Sequence, residues 1–281
     1  MKNFNSNPSN QEITSIHNPK IKLWSQLLTK RGREAQGKFI LEGVHLIREA
    51  LQANIEIEVM LFSLEKGYPS ELPELNDLVC EVIGVSDAVL AKCSDTQTPQ
   101  GVLAVALKPM YLKEQLWEQA EGLVVVIDGI QDPGNLGTII RSADAVGATG
   151  IVLGRGTVDL YNPKTIRSTM GSLFHLPILE YELHELLPLA REKGIQLVST
   201  SLQAEQSCYE LDLMKATWFI VGNEGSGVSA ELQPYVSQQT IIPMRGKAES
   251  LNVAMAATVL LFEAGRQRGF KQIIIPVHQP K

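Results

Sequence analysis

The sequence predicts an α/β protein with a small N-terminal α/β domain and a larger C-terminal domain built on a parallel sheet. The chain has 281 residues, of which 44% are hydrophobic and 20% charged, a composition typical of a folded globular protein. In the C-terminal half, short continuous apolar runs alternate with helical patterns, as in a parallel sheet covered on both faces. The N-terminal third carries fewer and more mixed elements, which favours a separate, smaller unit.

The chain divides into four segments. Residues 1–12 are polar and rich in Asn and Ser, and we expect them to form a disordered tail. Residues 13–107 predict the small domain, residues 108–120 a linker, and residues 121–281 the larger domain.

Hydrophobic spacing predicts the elements in order. In the small domain it indicates helices over residues 21–28 and 44–51 and strands over 39–41, 58–62 and 102–107. In the larger domain, strands are predicted at 123–128, 150–153, 176–179, 196–199, 217–221 and 240–242. The helices predicted there span 136–146, 163–169, 183–192, 230–236 and 251–268, the last of them ended by Gly269.

Composition and motif spacing disfavour several classes of function. The longest nearly uninterrupted apolar run, residues 253–262, is about half as long as a bilayer-spanning helix, and the polar N-terminus is unlike a signal peptide. Three cysteines without a C-x-x-C pair argue against disulfides and structural zinc, and the five histidines show no metal-ligand spacing. A P-loop and a G-x-S-x-G elbow are also absent from the sequence. We therefore expect a cytoplasmic protein with no metal and no membrane association.

Charge is distributed unevenly along the chain. The formal net charge is −6, yet residues 1–48 carry eight Lys or Arg against three acids, whereas residues 49–108 carry three against ten. The N-terminal excess includes a basic cluster of Lys20, Lys22, Lys30, Arg31, Arg33 and Lys38. Such a cluster can contact phosphates or can be the solvated face of a helix, and charge alone leaves both interpretations open.

Three loops that follow predicted strands carry polar residues. Ligands of open parallel sheets bind beyond the carboxyl ends of the strands, so these loops form the candidate site. In the first, residues 128–137, Asn135 either caps the next helix or serves the site. Arg141 on that helix either meets a phosphate or carboxylate of a ligand or pairs with Asp144.

The other two loops follow later strands. In residues 221–227, Glu224 stands among three glycines, which either allow close approach of a ligand or supply positive φ angles for a tight turn. In residues 242–252, Ser250 is expected to cap the last helix, and Asn252 lies in its first turn.

Taken in order, these loops resemble the three motifs of the SpoU (TrmH-like) branch of the SPOUT RNA methyltransferases. The run N-L-G-T-I-I-R from Asn135 to Arg141 resembles the first motif, G-N-E-G-S-G from Gly222 the second, and S-L-N-V-A from Ser250 the third. Ala254 departs from the serine that many members carry there.

The resemblance extends to the small domain and implies a fold. The run from Lys38 to Glu49, K-F-I-L-E-G-V-H-L-I-R-E, is similar to the ribosomal-protein-like RNA-binding domain of many members. The larger domain is then expected to be a knotted parallel-sheet SPOUT methyltransferase domain, an exception to the rule that chains avoid knots.

The resemblance also implies a cofactor and an assembly. S-adenosylmethionine is the expected cofactor, held by residues in and near the three loops: Gly222, Ile242, Leu251, Thr200, Met244 and Gly225. The expected assembly is a homodimer through the last helix, whose small apolar face comprises Ala254, Ala256, Ala257 and Leu261.

The implied reaction is methyl transfer to a ribose 2′-hydroxyl of rRNA or tRNA, with rRNA favoured. Arg141 would contact the hydroxyl and the adjacent phosphate, and because a guanidinium keeps its proton we expect it to orient the nucleophile. Glu224 or water would accept the proton, while Asn135, Ser250 and Asn252 would position Arg141 and the cofactor. The expected RNA contacts are Lys20, Lys30, Arg31, Arg33 and Lys38.

Two alternatives belong to other classes. One is a catalytically silent RNA-binding or ribosome-assembly protein on the same fold, which has no reason to keep all five polar motif residues. The other is a methyltransferase that acts on a base or a small molecule, which is disfavoured because the motifs are those of the ribose-modifying branch.

Overall fold

The computed structural model describes residues 12–270. The tail expected over residues 1–12 lies outside that range except for Glu12, where the first strand begins.

The N-terminal domain is a mixed sheet with helices. Its strands are β1 (Glu12–Ile13), β2 (Lys38–Glu42), β3 (Ile57–Ser63), β4 (Glu81–Val85) and β5 (Val102–Leu107). Their order is β1-β4-β3-β5-β2, and β5 runs antiparallel to both β2 and β3. The helices are α1 (Pro19–Ser25), α2 (Lys30–Gln36), α3 (Val44–Gln52) and α4 (Asp87–Cys93).

Hydrophobic spacing did not predict α2, β4 or α4. The reason is clearest for α2, whose sequence K-R-G-R-E-A-Q has no apolar stripe. Its first turn is capped by the Thr29 hydroxyl, which accepts a hydrogen bond of 3.1 Å from the Gly32 amide. Gly37 ends the helix with a φ of 64°. Local capping therefore places this helix where periodicity gives no signal.

The C-terminal domain contains the parallel sheet that the sequence predicts. Its strands are β6 (Leu123–Asp128), β7 (Gly150–Leu153), β8 (Ile178–Glu180), β9 (Gln196–Thr200), β10 (Thr217–Gly222) and β11 (Gln238–Thr240). Their order is β11-β9-β10-β6-β7-β8, and every pair is parallel. The helices are α5 (Pro133–Ala145), α6 (Pro163–Thr169), α7 (Leu183–Glu192) and α8 (Val253–Arg268).

Both faces of this sheet are covered. Along β6, Val124 and Val126 pack in one apolar core with residues of α7, whereas Val125 and Ile127 pack in another core with residues of α5 and α8. Alternate residues of a strand point to opposite faces, so a continuous apolar run is what a doubly covered strand requires. The expected fold class is confirmed, while the trefoil knot stays a prediction, since strand order does not define how the chain threads.

Some predicted elements of this domain are wrong or displaced. Residues 230–236 do not form a helix; only a 3-10 turn, Gln233–Tyr235, is present. Pro234 lacks the amide hydrogen that a helix needs and disfavours helical backbone at the residue before it. The strands expected at 176–179 and 240–242 are each displaced by about two residues.

The two domains share one hydrophobic core. Phe39 of β2 packs against Tyr161, with ring centroids 4.7 Å apart. The expected linker also folds onto the C-terminal sheet, since Leu116 is buried and Trp117 stacks on Trp218 with ring centroids 5.0 Å apart. The small domain is therefore held against the parallel sheet by packing as well as by the chain.

Candidate functional site

The first candidate loop connects β6 to α5. Asp132 caps α5, because its Oδ1 accepts a hydrogen bond of 2.8 Å from the Asn135 amide. Pro133 occupies the first helical position, where a missing amide hydrogen costs nothing. The helix therefore begins three residues before the predicted start, and the Asn135 side chain is not its cap.

The Asn135 side chain joins the three loops. Its Nδ2 donates to Glu224 Oε1 at 3.0 Å, and its Oδ1 accepts from Asn252 Nδ2 at 3.0 Å. Asn252 in turn caps α8, since its Oδ1 accepts hydrogen bonds of 2.9 Å from the Ala254 amide and 3.3 Å from the Met255 amide. The structure thus brings residues of all three motifs into one network, which we call the motif network: Asn135, Glu224 and Asn252.

Glu224 also holds the β6–α5 loop in place. Its carboxylate accepts hydrogen bonds from the amides of Gln131 at 3.4 Å and Asp132 at 3.3 Å. Partial burial raises the pKa of Glu224, but the hydrogen bonds from Asn135 and the backbone together outweigh burial and lower this pKa below its ordinary value. Glu224 is therefore an ionised, internally bonded carboxylate at neutral pH and a weak proton acceptor.

Gly222 is required by the backbone of its own loop. A Cβ at this position would lie 2.2 Å from Gly227 C and from Val228 N, a distance that no side chain can occupy. Gly227 adopts a φ of 70°, so it supplies the left-handed turn. Of the two interpretations left open by the sequence, the turn therefore explains Gly227, while Gly222 serves a close approach between parts of the protein itself.

One cavity of about 560 Å³ lies between the loops that follow β9, β10 and β11 and the start of α8. Every residue expected to bind the cofactor lines it, namely Thr200, Gly222, Gly225, Ile242, Met244 and Leu251. Glu224 and Ser250 line it as well. Ser250 is exposed and does not cap α8, so that part of its expected role is wrong.

The sequence did not single out other residues that line this cavity. Leu202 and Gln203 follow β9, and Ala256, Ala257 and Leu260 face the cavity from α8. The strand-end rule could have indicated the loop after β9, but the contribution of α8 depends on how that helix packs. Apolar walls and polar loop ends make the cavity suitable for a ligand that has both kinds of surface, and its volume is typical of ligand pockets.

Arg141 lies apart from the motif network. It is exposed and does not line the cavity, and its side chain forms no hydrogen bond or ion pair with any other residue between 12 and 270. Its neighbour Ser142 faces α8, with the Ser142 and Thr258 hydroxyl oxygens 2.7 Å apart. Successive helical residues are rotated by about 100°, so Arg141 faces another direction. The expected alternative, a pair with Asp144, is also not formed, because Asp144 bonds His175.

The basic cluster is largely neutralised within the chain. Lys20 pairs with Glu81 at 3.0 Å, and Lys38 pairs with Glu58.

Arg33 is only 2% exposed and forms a 2.5 Å ion pair with Asp159 across the domain junction. Its expected contact with RNA is therefore wrong: a buried guanidinium needs its carboxylate partner and has no surface to offer. Lys30 and Arg31 remain exposed on α2.

Between residues 12 and 270, no group of three or more His, Cys, Asp or Glu side chains is placed to hold a metal ion. Over the same range, none of the helices combines the length and apolar character that crossing a bilayer demands.

A parallel sheet whose strand-end loops enclose a cavity, joined to a small α/β domain, defines a two-domain ligand-binding α/β protein. Residues 122–262 match the SpoU rRNA Methylase family, and residues 18–104 match the MRM3-like substrate binding domain. The chain belongs to the SpoU rRNA methylase family.

Relatives match nearly the full length of this chain and of their own. The chain is 38% identical to the 23S rRNA (guanosine(2553)-2′-O)-methyltransferase RlmP of Bacillus subtilis, over 90% of this chain and 98% of that protein. It is 33% identical to the 23S rRNA (uridine(2479)-2′-O)-methyltransferase of Streptomyces viridochromogenes, over 93% and 94% of the two chains. The crystal structure of the SpoU methyltransferase AviRb from the latter organism, in complex with the cofactor AdoMet, is similar with a TM-score of 0.83. It is 31% identical and covers 90% of this chain and 98% of that one.

Proposed function

We propose that this protein transfers a methyl group from S-adenosylmethionine to a ribose 2′-hydroxyl of ribosomal RNA. The observation that carries the proposal is that the second and third motif loops line one cavity, while Asn135 of the first motif bonds both Glu224 of the second and Asn252 of the third. Relatives that match 90% or more of the chain are named as rRNA 2′-O-methyltransferases, which supports an enzyme over a silent RNA-binding protein.

The residues around the cavity fit S-adenosylmethionine. Apolar side chains such as Ile242, Leu251 and Leu260 suit the adenine ring, and the polar loop ends after β9 and β10 suit the ribose and amino-acid groups. When bound, this cofactor supplies a methyl group already activated by its sulfonium charge. The protein therefore has to align the reacting groups and stabilise the charge that develops, and no covalent intermediate with the protein is needed.

The motif network shapes the site. Glu224 is ionised and accepts its hydrogen bonds from the protein itself, so we assign it to positioning Asn135 and the β6–α5 loop. The proton of the ribose hydroxyl then passes to water. Arg141, whose side chain is bonded to no other described residue, orients the hydroxyl and the adjacent phosphate through its guanidinium.

Arg141 and the cavity face different directions on one chain, so we further propose a homodimer in which Arg141 of one subunit serves the cavity of the other. Of the face expected to form the dimer, Ala254, Ala257 and Leu261 are buried within this chain and Ala256 lines the cavity, so these residues do not support the interface. Met255 and Phe262, seven residues apart on α8 and 49% and 44% exposed, are the apolar residues that support one.

We assign residues 13–107 to RNA substrate binding, residues 108–120 to a linker and residues 121–281 to methyl transfer. The family matches over residues 18–104 and 122–262 support this division. Lys30 and Arg31, both exposed on α2, are the proposed phosphate contacts of the small domain. A cytoplasmic location is proposed because rRNA is the substrate and the three cysteines are free thiols.

Methyl-labelled S-adenosylmethionine tests the reaction. Purified protein is incubated with unmodified rRNA and, separately, unmodified tRNA, and the products are hydrolysed in alkali. Ribose methylation blocks cleavage, so we expect label in alkali-resistant dinucleotides from rRNA. Label confined to tRNA would overturn the rRNA assignment, label in mononucleotides would mean base methylation, and no label despite cofactor binding would favour the silent alternative.

Mixed dimers test the shared site. Arg141→Ala chains keep the cavity and Gly222→Val chains keep the arginine, so each homodimer is expected to be inactive. If the subunits share sites, each mixed dimer regains one complete site, and random mixing gives about a quarter of wild-type activity. No recovery in dimers verified by mass spectrometry would place both functions in one chain.

A further inference from the structure

His175 lies between two carboxylates that come from different domains. Its Nδ1 is 2.8 Å from Asp144 Oδ2 on α5, and its Nε2 is 3.3 Å from Glu49 Oε2 on α3. A neutral imidazole has one N–H and can donate to only one of these carboxylates, whereas an imidazolium donates to both. Glu49 also faces His45, with its Oε1 3.8 Å from His45 Nδ1.

Asp144 and Arg141 are three residues apart on α5. Residues at this spacing are neighbours on the helix surface, and an Arg and an Asp there ordinarily attract each other. They form no pair in this structure, because the Asp144 carboxylate is engaged by His175, which comes from the segment after α6.

Losing its hydrogen bond to His175 would be unfavourable for Asp144. Its side chain is 27% exposed, so a carboxylate left without a hydrogen-bond donor there would be partly desolvated and would draw in the nearest cation. The neighbouring cation on the same helix is Arg141.

We propose that His175 is a positioning residue that holds Asp144 and thereby keeps the Arg141 guanidinium free for the RNA. The inference rests on the proposed role of Arg141 in orienting the RNA. His175 does not line the cofactor cavity, so its effect acts through Arg141 and leaves cofactor affinity unchanged. Because Glu49 belongs to the small domain, the same imidazole also ties that domain to the helix that carries Arg141.

The test compares turnover and cofactor affinity in five forms of the full chain: wild type, His175→Ala, Asp144→Asn, the double variant, and His175→Arg. Releasing Asp144 in His175→Ala should lower kcat about two- to fivefold, the size expected for a partly exposed ion pair. Asp144→Asn should match wild type, and the double variant should recover wild-type kcat because nothing remains to capture Arg141. His175→Arg keeps a cation beside both carboxylates and should also retain activity.

A crystal structure of His175→Ala provides a readout that does not depend on activity. It should show an Arg141 guanidinium nitrogen within ion-pair distance of Asp144, and an unchanged, unpaired Arg141 would overturn the inference. A double variant as slow as His175→Ala would overturn it too. The proposed function fails separately, if the wild type methylates no RNA or if Arg141→Ala turns over normally. Thermal unfolding of each variant identifies any loss of activity that comes from loss of fold.

Discussion

Asn135 of the motif network and Arg141 lie on the same helix, α5, yet only the Asn135 side chain is bonded to other described parts of the protein. Asn135 bonds both Glu224 and Asn252. Glu224 also accepts from two backbone amides of the β6–α5 loop, and Asn252 caps the start of α8. The side chain of Arg141, less than two turns along the same helix from Asn135, bonds none of the other described residues. The side chains of the motif network are fixed by the fold, whereas the side chain proposed to contact the RNA has no partner in the described part of the chain.

Removing the Arg141 side chain should have the largest effect on activity. Arg141→Ala is expected to reduce kcat by about a hundredfold to a thousandfold, the range for a group that stabilises charge in a transition state. Cofactor affinity should stay within about threefold, because Arg141 does not line the cavity. Single-turnover kinetics and calorimetry measure the two quantities, and a lost cofactor affinity would contradict the assignment. Arg155→Ala, an exposed arginine at the end of β7, is the matched control.

Distorting the loop that follows β10, which lines the cavity, should act mainly on cofactor binding. Gly222→Val forces the loop away from Gly227 and Val228, and we expect cofactor affinity to fall at least about tenfold, since overpacking of this kind costs on the order of 1–3 kcal/mol. Calorimetric titration with S-adenosylmethionine measures this change. Gly246→Val is the control, because a Cβ there meets no atom within 4 Å. Normal binding by Gly222→Val would place the cofactor elsewhere.

Neutralising the carboxylate should have a smaller effect that separates positioning from base catalysis. Glu224→Gln keeps the shape of the side chain but turns one acceptor into a donor that faces a backbone amide. We expect about a tenfold loss of kcat, which corresponds to one charged hydrogen bond. If Glu224 only positions Asn135, the slope of log kcat against pH should be the same in both proteins. Loss of a pH-dependent limb in Glu224→Gln would instead make the carboxylate the proton acceptor.

The smallest expected effect is on the stability that His175 gains from its carboxylate partners Asp144 and Glu49. Partial burial lowers the pKa of His175, but the hydrogen bonds and charges of Asp144 and Glu49 outweigh it and raise the pKa above 6.5. A raised folded-state pKa means that the contribution to stability is full below the unfolded pKa and is lost as pH rises through the folded one.

We therefore expect the free energy of unfolding to decline above about pH 6.5, and the decline should be smaller in Asp144→Asn. Urea unfolding between pH 6 and 9 measures the difference. Equal declines in both proteins would contradict the coupling of His175 to Asp144.

Much of the larger domain could be predicted from the sequence because its signals are local. Apolar runs and helical spacing located the strands of the parallel sheet, and α6 and α7 have the predicted bounds. Glycines and polar residues after those strands marked the three loops. The helix predicted at 230–236 was wrong, although a local signal, Pro234, could have excluded it.

Other features could be predicted from the sequence only in part. Periodicity could not reveal α2, which has no apolar stripe and relies on its caps. Charge counts could not separate the exposed Lys30 and Arg31 from the buried Arg33, because a count contains no information about partners.

The sequence by itself determined the fold class, the three loops and the residue types that they bring to the site. Only the tertiary structure decided that Asn135 links Glu224 to Asn252 and that His175 takes the Asp144 carboxylate. The physical reason is the separation along the chain of the residues that interact. Periodicity and turn chemistry act between near neighbours, whereas these hydrogen bonds join residues 31 to 117 positions apart, and their geometry exists only after the helices have packed.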